Sequence, residues 1–385
     1  MKRRTFLKSG LVASSAAFMP QFLNGASANL QSANGNKLVV IQLAGGNDGL
    51  NTLVPYQNDI YYKSRPNIAI PKNQVLKLNH DLGFNPSLKS MAQFFENGEM
   101  SVYNQVGYPN QNKSHFRATD IWLTASDANQ YLSTGWLGKY LDSDCQKPHH
   151  AIEIGTSLSL ALKGDKGYGM AFDHPYTLMR AGNTDFFKQL RNLSATDSKS
   201  EYLYKTFVQT QQSTDYIFDK FRTYKSTITY PNSANGRSLK TIAQLIGAGV
   251  DTSIYYHSIG GFDTHGAQLG RQKQLHQNLD TALSAFVNDL KQSNNWNSTR
   301  ILIFSEFGRR IKENGSKGTD HGKASNVYVL GGGIDTPGFQ NGSTDLTKSE
   351  NNDLLHTIDF RSIYAHLLKN WLNSEVGLPS SGFTT

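Results

Sequence analysis

The stretch KLVVIQLAGGNDG, Lys37 to Gly49, decides the fold class. Lys37 to Leu43 is a continuous apolar run rather than an alternating one, as expected of a strand buried on both faces of a parallel sheet. It stops at Gly45 and Gly46 and is followed by Asn47 and Asp48. Shorter runs of the same kind occur at Ser101 to Val106, Ser253 to Tyr256, Ile301 to Phe304 and Val327 to Leu330, each ending in polar or glycine-rich sequence. Helical spacing lies between them. Leu275, Leu279, Leu283, Phe286 and Leu290 recur every three or four residues, and Phe360, Ile363, Tyr364, Leu367, Leu368 and Trp371 do so again. Strands alternating with amphipathic helices predict an α/β domain with a largely parallel central sheet. The stretch 176–235, rich in Tyr, Lys, Gln, Ser and Thr, reads as a helical insertion ending in the loop Tyr230 to Gly236.

The chain has 385 residues, 38 Lys and Arg against 30 Asp and Glu, and a net charge of +8. Half of that excess sits in Lys2, Arg3, Arg4 and Lys8, and no acidic residue precedes Asp48. A basic start, a modest apolar run from Leu11 to Leu23 and Ala26-Ser27-Ala28 have the layout of an export signal. The apolar run is too short for a membrane span. Arg3 and Arg4 ahead of Phe6-Leu7-Lys8 match a twin-arginine leader, whose route exports folded proteins. The domain reading is therefore a leader over 1–28 and one α/β domain over 29–385. Cleavage after Ala28 leaves only +4, with no clustered basic stripe, so nucleic acid is not an expected partner. Cys145 is the single cysteine, which excludes an intrachain disulfide and a cysteine-ligated zinc site.

In open α/β sheets ligands bind beyond the carboxyl ends of the strands, and four polar clusters fall there. In AGGNDGLNT, Asp48 is either a ligand-facing carboxylate or part of an ordinary Asp-Gly turn. In GYPNQNKSHFRATDIW, Ser114 precedes a predicted helix from His115 to Leu123. It suits an N-cap, or a nucleophile whose negative charge the helix terminus stabilises, with Lys113, His115 and Arg117 adding positive potential. In GGFDTHG, Asp263 and His265 are two apart and point the same way if extended, as a shared metal site or as a plain Asp–His pair. In SEFGRRIKENGSKGTDHG, Glu306, Arg309, Asn314, Asp320 and His321 are spread over a stretch with four glycines. Asp48, Asp263, His265, Glu306 and His321 are ligand types suited to zinc, manganese or another divalent ion, and a serine completes the inventory for metal-activated attack.

These motifs together resemble the domain-of-unknown-function 1501 family. The likeness is carried by the leader, LAGGNDGLNTLVPY, SHFRATDIW, GGFDTHGAQ, SEFGRRIKENGSKGTDHG and HTIDFRSIYAHLLKNWL. It spans most of the chain and is weakest over 176–235. The family is similar to the alkaline phosphatase and sulfatase superfamily, which implies a three-layer sandwich with metals at the strand ends. The resemblance implies Ser114 as nucleophile and Asp48, Asp263, His265, Glu306 and His321 as ligands of a divalent metal such as zinc, manganese or calcium; Arg309, just after Glu306, could bind an oxyanion by its planar fork. Two departures stand out: Asp263 and His265 are two residues apart where four is common, and Phe307 occupies a position where a histidine ligand is expected.

The expected function is an exported, metal-dependent hydrolase of phosphate or sulfate esters, periplasmic or secreted, acting on a small-molecule or polysaccharide ester. Its precursor would engage the twin-arginine export machinery, and the mature chain would lack a transmembrane helix. The alternative is a non-catalytic member of the superfamily serving as an extracytoplasmic binding or assembly protein, for which Phe307 speaks.

Overall fold

The computed structural model describes residues 35–378 apart from 146, 183 and 185–197; the leader over 1–28 lies outside the described residues. Lys37–Leu43 is strand β1. Its side chains divide between two cores: Val39, Ile41 and Leu43 enter one cluster, Leu38 and Val40 the other. A strand with an apolar cluster on each face is the middle layer of a three-layer sandwich, which is why its sequence does not alternate.

The other strands of this sheet are β2 (Met100–Gly107), β3 (Ala151–Ile154), β4 (Met170–Phe172), β5 (Ile254–Ile259), β6 (Thr299–Phe304), β7 (Ser325–Gly331), β8 (Gly338–Phe339) and β9 (Ile358–Asp359). The order is β8-β2-β7-β6-β1-β5-β3-β4, with β9 also on β2. Only β7 runs antiparallel to its neighbours, β2 and β6. β1 pairs in parallel with β5 and with β6, aligning Leu43 with Ile259 and Gln42 with Phe304. The loops after β1, β5 and β6 therefore leave the same edge of the sheet side by side. β3 and β4 were not anticipated from sequence, being runs of four and three residues.

Ten helices are used below: α1 (Gly49–Thr52), α2 (Asp59–Ser64), α3 (Lys89–Glu96), α4 (His115–Thr124), α5 (Trp136–Asp144), α6 (Pro175–Gly182), α7 (Ser198–Phe221), α8 (Ala234–Gly247), α9 (Gln268–Gln292) and α10 (Phe360–His366). The apolar faces of α3, α8 and α9 join the first cluster, and those of α4, α5 and α10 the second. On α9 the predicted stripe holds: Leu279, Leu283, Phe286 and Leu290 are all buried. α7 and all of α6 but its first residue, Pro175, fall within 176–235, and α8 starts inside the expected loop because Ser233 caps it at Gly236.

The second cluster fixes α4, and with it one wall of the site. Trp122 lies flat between Phe304 at the end of β6 and Phe360 on α10, with ring centroids 5.1 and 4.2 Å apart. Offset stacking of large rings adds about 0.5–1.5 kcal/mol per pair beyond burial, so the start of α4 is held on a rigid base. Cys145, half-buried, has its thiol pushed up to about 12, first by burial, which keeps it in the unreactive protonated form. Among the described residues no helix is long and apolar enough to cross a membrane.

Candidate functional site

The loops after β1, β5 and β6 meet at the carboxyl edge of the sheet, and two glycines permit the contact. Gly45 and Gly46 both have positive φ, and a β-carbon on Gly45 would strike the backbone of Asp263. One on Gly46 would strike the ring of Phe307. Larger residues would force the loops apart.

Asp263 is the centre of this junction. Its Oδ1 lies 2.7 Å from Arg309 Nη2, 3.0 Å from His265 Nε2 and 3.3 Å from His321 Nε2. Its Oδ2 lies 3.5 Å from His115 Nε2, and the two Nε2 atoms of His265 and His321 are 3.0 Å apart. Asp263 and His265 thus converge in spite of their two-residue separation. His115 joins them as the first residue of α4.

The other nitrogen of each imidazole faces an oxygen. His321 Nδ1 is 2.9 Å from the Lys113 carbonyl, His115 Nδ1 2.9 Å from Glu306 Oε1, and His265 Nδ1 3.4 Å from Asp320 Oδ1. Each Nδ1 faces a carbonyl or carboxylate that can only accept, so with the proton on Nδ1 each Nε2 presents a lone pair, the tautomer that metal ligation requires. Three imidazole lone pairs and a carboxylate then face one another. His115 Nε2 is buried and makes no hydrogen bond. This is the arrangement in which outer oxygen partners fix the tautomers of metal-ligating histidines. Four ligands held about 2.0–2.2 Å from a zinc-like ion stand roughly 3.3–3.6 Å apart, close to the spacings found here. The residues present therefore fit a divalent ion bound by His115, Asp263 and His321, whose ligand atoms all lie within 4.8 Å of one another, with His265 Nε2 beside them at 3.0 Å from Asp263 Oδ1 and from His321 Nε2.

Electrostatics favour the deprotonated forms. Partial burial pushes the Asp263 carboxyl up, but the Arg309 hydrogen bond and charge, with His321 and His265, outweigh it and hold the group at about 2. Burial, then the Arg309 charge, lower His321 against the opposing pull of Asp263. The hydrogen bond from Asn314 is the first cause holding Asp320 down. Phe307 is fully buried, its ring 4.9 Å from that of His115 and 4.7 Å from that of His321. It supplies a wall behind the imidazoles where the family resemblance implied a ligand.

Three expected roles come out differently. Asp48 is fully enclosed: Oδ2 accepts from Arg65 Nη1 at 2.6 Å and Gln268 Nε2 at 2.5 Å, and Oδ1 accepts from the backbone of Leu50 and Asn51. Four donors occupy both oxygens, so it caps α1 and neutralises Arg65, outside the imidazole cluster. Arg309 is buried and donates to the carbonyls of Gly45, Gly46, Phe262 and Thr319 as well as to Asp263. Those five partners tie the loops after β1 and β5 together and leave no fork open to an oxyanion. Glu306 Oε1 accepts the Gly45 N–H at 2.8 Å and the His115 ring, which makes it the orienting partner of a ligand. Ser114 is exposed at the N-cap of α4, and its hydroxyl makes no capping hydrogen bond.

His115 was read from sequence only as positive potential. The available signal was its place directly after a strand-to-helix turn, next to a serine. Asp320 was noticed as half of an Asp-His pair, but its link to His265 runs across loops.

Among solved structures the chain is similar to the C-terminal periplasmic domain of EcEptC from Escherichia coli, in complex with Zn. Identity is 10%, 81% of this chain and 76% of that one are covered, and the TM-score is 0.39. It is also similar to the PsFucS1 sulfatase from Pseudoalteromonas sp., at 13% identity, 83% and 67% coverage and a TM-score of 0.37. A third is a protein in the alkaline phosphatase superfamily from Vibrio parahaemolyticus, at 12% identity, 89% and 71% coverage and a TM-score of 0.35. No curated protein matches the sequence. Residues 184–374, which carry Asp263, His265, Glu306, Arg309 and His321, match the family model described as "Protein of unknown function (DUF1501)".

Proposed function

We propose that the chain is an exported, metal-dependent hydrolase of phosphate or sulfate esters. One observation carries the reading: the Nε2 atoms of three histidines meet at the Asp263 carboxylate, with contacts of 3.0 to 3.5 Å, while every Nδ1 faces an oxygen that can take its proton. With the protons on Nδ1 this is a set of cation ligands, and imidazole with carboxylate suits zinc or manganese better than calcium. A divalent ion bound there would supply Lewis-acid stabilisation of an ester oxygen.

The chain's own residues do the rest. Ser114 stands in the chain between Lys113, whose carbonyl holds His321, and His115, and its exposed hydroxyl is the nucleophile of this reading. Its oxygen would attack phosphorus or sulfur, its proton passing to solvent, while the ester oxygen leaves with its electron pair and takes up a proton. Water then cleaves the serine ester and restores the hydroxyl. The N-terminal N–H groups of α4 lack a side-chain cap and favour negative charge on the bound group. Glu306 orients His115. Arg309 is a positioning residue that sets Asp263. The basic leader and the apolar run after it support export by the twin-arginine route, ahead of work in the periplasm or outside the cell.

The test is metal analysis of the folded protein, then a panel of aryl phosphates and sulfates. Ser114→Ala should lower turnover about 10³-fold or more, as removal of a nucleophile does. Equal rates in wild type and Ser114→Ala would remove Ser114 from the mechanism. Turnover indifferent to a chelator would remove the metal.

A second reading, a binding or assembly protein for an acidic polysaccharide, has its own support. A groove of about 910 Å³, lined by none of the cluster residues, carries Arg222, Lys225, Arg237 and Lys240. Chelator-sensitive turnover would count against it.

A further inference from the structure

The amino-terminal edge of the sheet, opposite the site described above, holds a second group of donors. His149 and His150 end the turn Pro148–His150 that leads into β3, and Asp251 lies three residues before β5. Ligand atoms of the three side chains all lie within 4.8 Å of one another. Both imidazoles are at least nine-tenths buried, at 4 and 5% exposure, and Asp251 forms the open lip.

Polar nitrogens so buried normally find hydrogen bonds, and here three do not. His149 Nε2 and both ring nitrogens of His150 are buried without a hydrogen-bond partner. Yet His150 Nε2 is only 3.4 Å from Asp251 Oδ2, inside ion-pair range but outside hydrogen-bonding geometry. His149 Nδ1 is 2.9 Å from Ser213 Oγ on α7. Donation from Nδ1 to that hydroxyl leaves Nε2 with a bare lone pair, the tautomer a metal ligand requires.

The frame is rigid. The His149 carbonyl accepts from Thr252 Oγ1 at 2.5 Å and the His150 carbonyl from the Ser253 N–H at 3.0 Å. The two ligand-bearing segments are thus tied together next to Asp251 before any ion arrives, and β3 and β5 continue from them in register. Tyr216 of α7 closes the far side, its ring 4.7 Å from that of His149 and its hydroxyl accepting the Asp251 N–H at 3.0 Å.

We propose that His149, His150 and Asp251 bind a divalent transition metal, zinc foremost, at a second site that clamps α7 to the amino-terminal edge of the sheet. An ion held by two imidazoles and one carboxylate with an open side satisfies one orphaned nitrogen on each ring, and that set suits zinc, cobalt or nickel, whereas magnesium and calcium prefer all-oxygen sets. The site is independent of the hydrolase reading, since it shares no residue with the first cluster.

The test silences the first cluster by Asp263→Asn with His265→Ala in the full chain, then titrates Zn²⁺ against a chromophoric chelator. That protein should still bind one equivalent. Adding Asp251→Asn, at the exposed lip, should weaken the remaining site about 100-fold or more, since loss of even an outer-shell partner costs 10–100-fold. His150→Gln should do the same, and Co²⁺ bound to the parent should show a ligand-field spectrum lost in both variants. No Zn²⁺ uptake by the silenced protein, or unchanged affinity after Asp251→Asn, overturns the proposal. Conversely, if His150→Gln in the otherwise native chain removed all bound zinc, the second site would stand and the first would fall.

Discussion

Asp48 and Asp263 invite comparison because they begin alike and end in opposite roles. Each follows a glycine-bearing turn at the carboxyl end of a parallel strand, β1 or β5, and each touches an arginine, Arg65 at 2.6 Å or Arg309 at 2.7 Å. Asp48 has a side chain with no exposure and four donors around it; the side chain of Asp263 is 46% exposed and shares its oxygens with three imidazoles. What separates them is the supply of protons. Around Asp48 the neighbours are all donors, so the negative charge is satisfied by the protein itself. Around Asp263 Arg309 is the one neighbour that can only donate, while each of the three imidazoles can turn a lone pair toward the site. A carboxylate satisfied by the fold stabilises it, and one surrounded by lone pairs asks for a cation.

The largest effect tests the closed half of this contrast. Asp48→Asn should leave the Arg65 guanidinium buried without a counter-charge and cost about 3–5 kcal/mol of stability, as breaking a buried pair does. Urea unfolding measures it, and a loss below about 1 kcal/mol would mean the enclosing donors contribute little. Asp263→Asn should do the reverse. Arg309 keeps its four carbonyl acceptors, so stability should change by no more than about 1 kcal/mol, the range of half-exposed pairs. Metal affinity at the first site should fall about 100-fold or more, read by zinc titration of a protein already carrying Asp251→Asn. If both aspartates behaved alike in either measurement, the comparison would break.

The same pair shows what the sequence discloses. The sheet was legible because burial on both faces writes continuous apolar runs such as KLVVIQL, and α9 because its stripe repeats every three or four residues. β3 and β4 were not, since three or four residues at a sheet margin leave too little pattern. In the site, Asp263, His265 and His321 were legible as residue types following strands. The fate of Asp48 was not, because its donors Arg65 and Gln268 lie 17 and 220 residues away. Nor was that of Arg309, whose free-looking fork is filled by backbone carbonyls that have no sequence signature. One signal was available and passed over: Gln268, Gln272 and His276 stand four apart on α9, all buried, a polar stripe that marks something to satisfy on that face.

That stripe gives the smallest and sharpest test. His276 is fully buried, with Nε2 3.2 Å from Thr52 Oγ1 on α1, the helix that Asp48 caps. Burial, only partly offset by the charge of Asp48, lowers its imidazole from 6.5 to about 4. The unfolded chain takes up this proton as pH falls through 6.5, whereas the folded chain does so only near 4. The contribution is therefore complete above pH 6.5 and is lost as pH falls toward 4, the loss reaching about 2 kcal/mol at pH 5 by linkage at 1.36 kcal/mol per pH unit. His276→Gln keeps a donor for Thr52 and cannot titrate, so its stability difference between pH 7 and pH 5 should be smaller than that of wild type by about that amount. Asp263, held at about 2, gives up no proton-linked stability of its own in that window. Equal pH dependence in wild type and His276→Gln would show that the closed region is not buried in the sense that matters, which is exclusion of charge.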